Sequence, residues 1–164
     1  MFFEKIKSIL FRDRKLIKRC SVYISEVYDE IIIVPKSVDK SGVIYEQEKC
    51  VVLSKSIALE LLGEEIMKAM NRFQYKEINN SKFKLTDWPA FKHSKSKSVK
   101  SFEKEYISIS LDGCNSSNLI FSVEGIPFKN SDLNIVTSVS FYAKNEEIAQ
   151  KIMKVYNACL TREF

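Results

Sequence analysis

The chain passes twice from short runs of period two into one long run of period near 3.6. From residue 19 to 25, Cys20, Val22 and Ile24 fall on one side, and Ser21, Tyr23 and Ser25 on the other. That alternation predicts a half-buried strand. Glu30 to Val34 carries an unbroken Ile31-Ile32-Ile33-Val34, which predicts a strand buried on both faces. Pro35 should end that strand or place its end at a sheet edge, because proline brings no ladder N–H. A polar turn containing Ser41-Gly42 follows, then two shorter strand candidates, Val43-Ile44-Tyr45 and Cys50-Val51-Val52-Leu53.

Residues 55–73 then read as a helix. Ile57, Leu61, Leu62, Ile66, Ala69, Met70 and Phe73 recur at helical spacing, with Glu60, Glu64, Lys68 and Arg72 opposite. Glu64 and Lys68 make a favourable i,i+4 pair. Ser54 or Ser56 can cap the start. Gly63, inside the helix, costs about 1 kcal/mol relative to alanine, which predicts a neighbour packed closely there.

Residues 74–104 are polar and basic around one apolar knot, Trp88-Pro89-Ala90-Phe91. They read as a long connection with a helical turn near Val99 to Glu103, and so long a loop is often functional. Three strands follow. Their inward rows are Ile107-Ile109-Leu111, Leu119-Phe121-Val123 and Ile135-Thr137-Val139-Phe141, with a turn at Asp112-Gly113 after the first. A last helix spans residues 146–160, with Asn145 as its cap and Ile148, Ile152, Val155, Tyr156 and Cys159 as its stripe. At the other end, residues 2–16 suit a short amphipathic helix with a charged turn after it.

The expected fold is therefore α+β: antiparallel sheet with helices packed on one side, in two successive strands-then-helix halves. Residues 1–18 are expected to form a separate N-terminal amphipathic segment, and residues 19–164 a single domain. Composition supports a core that needs neither disulfide nor metal, being 45% hydrophobic and 29% charged over 164 residues. The net charge of +5, from 26 Lys+Arg against 21 Asp+Glu, would assist an anionic partner without identifying one. Glu4, Lys5 and Lys7 interrupt the first apolar residues, so no export signal is expected, and no window is apolar for long enough to span a membrane.

Catalytic readings fail on inventory. His93 is the only histidine, so a Ser-His-Asp or Cys-His arrangement would have to use it, and it lies in the polar stretch Phe91-Lys92-His93-Ser94-Lys95. Cys20, Cys50, Cys114 and Cys159 form no Cys-x-x-Cys pair and read as reduced, packed thiols. The adjacent acids Glu64-Glu65 and Glu146-Glu147 diverge on a helix and suggest no metal site. With four glycines, the chain has no Gly-rich phosphate loop. A non-enzymatic protein without cofactor or metal is expected.

What stands out is the run from Lys92 to Lys104, where Lys92, Lys95, Lys97, Lys100 and Lys104 alternate largely with serines. It reads either as a solvated loop or as an electrostatic contact surface. Trp88 and Phe91 precede it, either as a core plug or as aromatic anchors beside the cations. The candidate partner-binding residues are thus Trp88, Phe91, Lys92, His93, Lys95, Lys97, Lys100 and Lys104. They suit a protein interface or single-stranded nucleic acid, whose bases would stack on the rings, and the residues alone do not separate the two.

The Gly63-containing helix from Ser56 to Met70, together with the segment from Trp88 through the Lys-Ser run to Phe102 and the strand Tyr106-Ile107-Ser108-Ile109, resembles bacterial immunity proteins of contact-dependent growth inhibition systems. The resemblance covers residues 20–160. It implies a cytoplasmic antitoxin that binds the C-terminal toxin domain, often a nuclease, delivered by a neighbouring cell, with no membrane contact. Inhibitors of nucleases are often acidic, whereas this chain is basic. The toxin would then present an acidic surface, or meet a local acidic patch, or be inhibited away from its active site. The alternative is a small nucleic-acid-binding module using residues 88–104.

Overall fold

A computed structural model describes residues 18–76, 84–113, 118–124 and 134–161. The N-terminal amphipathic segment and Cys114 lie outside the described residues. The strands are β1 (Lys18–Ser25), β2 (Glu30–Val38), β3 (Ile44–Glu46), β4 (Val51–Ser54), β5 (Gln74–Tyr75), β6 (Ile107–Gly113), β7 (Asn118–Glu124) and β8 (Asn134–Ser140). The helices are α1 (Leu59–Asn71), α2 (Pro89–His93), α3 (Val99–Glu105) and α4 (Asn145–Thr161). One open sheet runs β3-β2-β1-β6-β7-β8, with β4 and β5 also paired to β2. All pairings are antiparallel except the two-residue β2–β5 contact. The fold is α+β, and the two strands-then-helix halves merge into one sheet where β1 pairs with β6, Val22 opposite Ile109.

Both long helices lie on one face. Leu62, Ile66 and Met70 of α1 and Ile148, Ile152, Val155 and Tyr156 of α4 close over Val22, Ile24, Ile31, Ile33, Ile109 and Phe121. The stripe expected for α4 is entirely buried. In α1 the stripe is narrower than the sequence suggests: Leu61 is 51% exposed. Replacing Ile66 or Ile152 by Ala should cost about 2–5 kcal/mol through lost burial and a residual cavity. Replacing exposed Glu60 or Lys154 should cost under about 0.5 kcal/mol. Urea denaturation separates these two classes, and equal losses would mean the helix faces are assigned wrongly.

Gly63 meets the close neighbour its position predicts. A Cβ built on it would lie 1.9 Å from the backbone oxygen of Asn145, where α4 begins. The cap expected for α1 is not made. Ala58 occupies the N-cap without a side-chain bond, while Ser54 Oγ and Ser56 Oγ bond to each other at 2.8 Å in the preceding turn. Hydroxyls that close a local turn are lost to the helix start. At α4, Asn145 is the first helical residue rather than the cap, and the Lys144 N–H donates back to Glu147 Oε2 at 3.3 Å. The adjacent acids Glu64 and Glu65 do not diverge: both carboxylates reach Lys68 Nζ, at 2.8 and 2.7 Å.

Three strand expectations are corrected by what covers the sheet. β1 is buried on both faces rather than one, with Ser21, Tyr23 and Ser25 enclosed as fully as Val22. The reason is that α2 and α3, inside the stretch read as a long connection, cover the second face. Pro35 does not end β2, which continues to Val38 in the sheet interior. Its carbonyl accepts from Gln47 N at 2.8 Å, so its nitrogen points the same way, to where the neighbour of β2 changes from β4 to β3. No bond to β1 is lost there. Asp112-Gly113 is not a turn but the end of β6, paired with Arg19 and Lys18.

Candidate functional site

The second face of the sheet holds a small aromatic core. Tyr23, Ile32 and Val34 form its floor, and Ala90, Phe102 and Tyr106 close it from above, with Trp88 and Phe91 packed at its edge. Phe102 is central. Its ring lies 4.9 Å edge-on from Trp88, 6.0 Å from Phe91, 5.3 Å from Tyr23 and 4.7 Å from Tyr106. Trp88 and Phe91 therefore plug this core, and their rings are taken up by protein contacts.

Pro89 begins α2, where a missing N–H costs nothing. Ser98 caps α3 in a reciprocal box: its Oγ accepts from Ser101 N at 3.1 Å, and Ser101 Oγ accepts from Ser98 N at 3.1 Å. The Ser98-x-x-Ser101 pattern was visible in the sequence and marks the true start of the helix.

Three carboxylates from β2 and β3–β4 hold this layer down. Glu46 accepts from Trp88 Nε1 at 2.8 Å, from Ala90 N at 3.2 Å, and from the Tyr23 hydroxyl. Burial raises the Glu46 carboxyl above its ordinary range, against the opposing pull of its donors and of Lys36. Burial, then the Glu46 charge, pushes the Tyr23 phenol up as well. Glu30, 3% exposed, accepts from the Tyr106 hydroxyl and pairs with Lys95 Nζ at 2.9 Å. Glu48 pairs with Lys92 Nζ at 3.3 Å, and its backbone oxygen accepts from His93 Nε2 at 3.2 Å. Glu105, within α3, accepts from Tyr28 at 3.2 Å and from Ser96.

The eight residues singled out in the sequence thus share one face of the fold but divide by role. Trp88 and Phe91 are half-buried core members. Lys92, His93 and Lys95 are exposed but tied to Glu48 and Glu30. Lys97, Lys100 and Lys104 are exposed, with no ion partner among the described residues. The tethering carboxylates Glu30, Glu46 and Glu48 were not singled out. They lie 42 residues or more from the side chains of residues 88–106 that they hold, Glu46 from Trp88 and Glu30 from Tyr106 included, and no local pattern marks such a pair.

Burial pushes the thiols of Cys20 and Cys50 up to about 12 and raises that of Cys159, so the three described thiols stay protonated at neutral pH. Among the described residues, no group of His, Cys, Asp and Glu is placed to hold a metal ion. No helix among them is long and apolar enough to cross a membrane.

Neither a family model nor a curated protein matches the sequence. Solved structures do match the fold. A protein of unknown function from Neisseria meningitidis superposes with a TM-score of 0.62 at 13% identity, covering 89% of this chain and 94% of the other. A chain of the CdiA-CT/CdiI toxin and immunity complex from Yersinia pseudotuberculosis superposes with a TM-score of 0.56 at 14% identity, covering 84% of this chain and 94% of that one. At these identities what is shared is the fold: an open antiparallel sheet with its helices, over almost the full length of each neighbour.

Proposed function

We propose that this chain is a cytoplasmic immunity protein of a contact-dependent growth inhibition system, which binds and neutralises the C-terminal toxin domain, a nuclease, delivered by a neighbouring cell. One observation carries the reading: the fold is that of a chain from a toxin and immunity complex, matched over 84% of this chain and 94% of the other. The resemblance of the Gly63 helix and the Trp88–Ile109 segment points the same way. On this reading the protein is an inhibitor, not an enzyme, and its partner is a protein. The contact surface is drawn from the second face, at residues 88–104.

The nucleic-acid alternative has less support. Stacking on bases needs free ring faces. Trp88 is instead edge-on to Phe102 and Tyr23 and hydrogen-bonded to Glu46, and Phe91 also packs on Phe102. Two of the segment's five lysines, Lys92 and Lys95, are already paired with Glu48 and Glu30, which the fold brings to them. That leaves three lysines without an ion partner among the described residues, fewer cations than the sequence of the segment offers to a polyanion.

The test is to look for a large exported protein encoded immediately upstream of this chain and to co-express its C-terminal domain with it. Growth should be rescued, the two proteins should co-elute, and the toxin's nuclease activity should be suppressed at equimolar inhibitor. Generic single-stranded nucleic acid should bind only in the non-specific range of about 10⁻⁴–10⁻⁶ M. Growth arrest that persists with folded inhibitor present would remove the immunity reading.

A further inference from the structure

We infer that Lys97, Lys100 and Lys104 form the row that first meets the partner, and that the partner's facing surface is a carboxylate-rich protein face. The inference rests on the immunity reading for the partner's identity, but the row itself is defined by the fold. Lys100 and Lys104 stand one turn apart on α3, and Lys97 immediately precedes its cap. Successive helical residues turn by about 100°, so Lys100 and Lys104 project on the side away from Phe102, which is 1% exposed and fixes the inner side.

Their supports are rigid. The Ser98–Ser101 box fixes the start of α3, Glu105 bonds Ser96 and Tyr28, and Lys95, just before the row, is anchored on Glu30. Lys92 and Lys95 already have carboxylate partners, so releasing them to a partner would cost existing pairs, and for Lys95 would strand a buried Glu30. The row has no such cost among the described residues. A cationic row on a pre-organised helix, without stacking surfaces beside it, fits carboxylates on a folded protein better than a flexible polyanion. Exposed charges of this kind act on encounter, so the row governs association more than dissociation.

The experiment measures binding of the neighbouring toxin domain to the full chain by biosensor over a range of salt. K97E/K100E/K104E should slow association about tenfold and flatten its salt dependence, with the dissociation rate nearly unchanged. K76E/K144E/K154E carries the same charge change at exposed lysines elsewhere and should associate almost as wild type does. Emission from Trp88, the only tryptophan, reports that each variant is folded, and K97Q/K100Q/K104Q should fall between wild type and the Glu variant. Equal slowing in both Glu variants, or none in the row variant, overturns the inference. If the wild type binds no toxin domain, the immunity reading fails. The row is then judged with poly-L-glutamate and a thirty-residue oligo-dT. Retention of poly-L-glutamate that the row variant loses upholds it. Retention that survives, or oligo-dT bound more tightly through the row, overturns it.

Discussion

Gly63→Ala is expected to destabilise the protein by about 2–4 kcal/mol. Two effects compete at this position. Alanine favours a helix interior over glycine by about 1 kcal/mol, which taken alone would make the variant more stable. Against this, the added Cβ would sit 1.9 Å from the backbone oxygen of Asn145 and 2.4 Å from its carbonyl carbon. Those atoms belong to the backbone where α4 starts, so no side-chain rotation relieves the clash. The helices must separate instead, loosening Leu62 and Ile66 of α1 against Ile148 and Ile152 of α4. A close-packed interior makes that the larger effect.

The comparison variant is Gly42→Ala. Gly42 has φ of +89° in an exposed turn with open space around it, so only the backbone penalty of about 1 kcal/mol applies. Urea denaturation measures both. A Gly63→Ala protein more stable than wild type would mean that α1 and α4 do not approach this closely. Adding Asn145→Gly should not rescue the variant, because the clash is with main-chain atoms.

Glu46→Ala is expected to cost about 3–5 kcal/mol and to shift the emission of Trp88 to the red. Removing the carboxylate orphans the indole N–H of Trp88, the amide of Ala90 and the Tyr23 hydroxyl together. Each buried unsatisfied donor costs about 1–3 kcal/mol, and here the Trp88 and Ala90 donors tie residues 88–90 to the sheet. Glu46→Gln keeps a carbonyl oxygen for the two N–H donors and should cost under about 1.5 kcal/mol.

The two Glu46 proteins should also differ with pH. Burial holds the Glu46 carboxyl above its ordinary value of 4.5, so between that value and the raised one the folded state binds more protons than the unfolded chain. Wild-type stability from this group therefore falls as pH rises through that window and is flat above it. Glutamine has no such term, so the difference between the proteins should move in favour of Glu46→Gln over the same window. An Ala variant with unchanged stability and emission would mean that Glu46 does not hold the 88–93 segment.

If Glu46 is the anchor, the basic segment is a surface only because a buried carboxylate on a distant strand holds its aromatic base in place. That division runs through the whole protein. Local periodicity was enough to read β1, β2, β6, β7 and both long helices, because each buries a row or stripe against the common core and the row repeats every two or 3.6 residues. Gly63 belongs with these, since a glycine inside a good helix pattern signals close approach by its cost alone. The Lys-Ser run and the Trp88-Phe91 pair were equally legible as residues, though not as roles.

Tertiary structure decided the rest, for reasons of distance. Whether Ser21 and Tyr23 face water or a second core depended on α2 and α3, which arrive some seventy residues later in the chain. Pro35 could remain inside β2 only because two different strands meet that side of it, leaving its missing N–H at their junction. Among the lysines of residues 92–104, the separation of Lys92 and Lys95 from Lys97, Lys100 and Lys104 was set by where Glu48 and Glu30 came to lie. Side-chain charge is written in the sequence, but whether a charge is already paired is a property of long-range packing, and it is that property which leaves one row of three lysines facing outward.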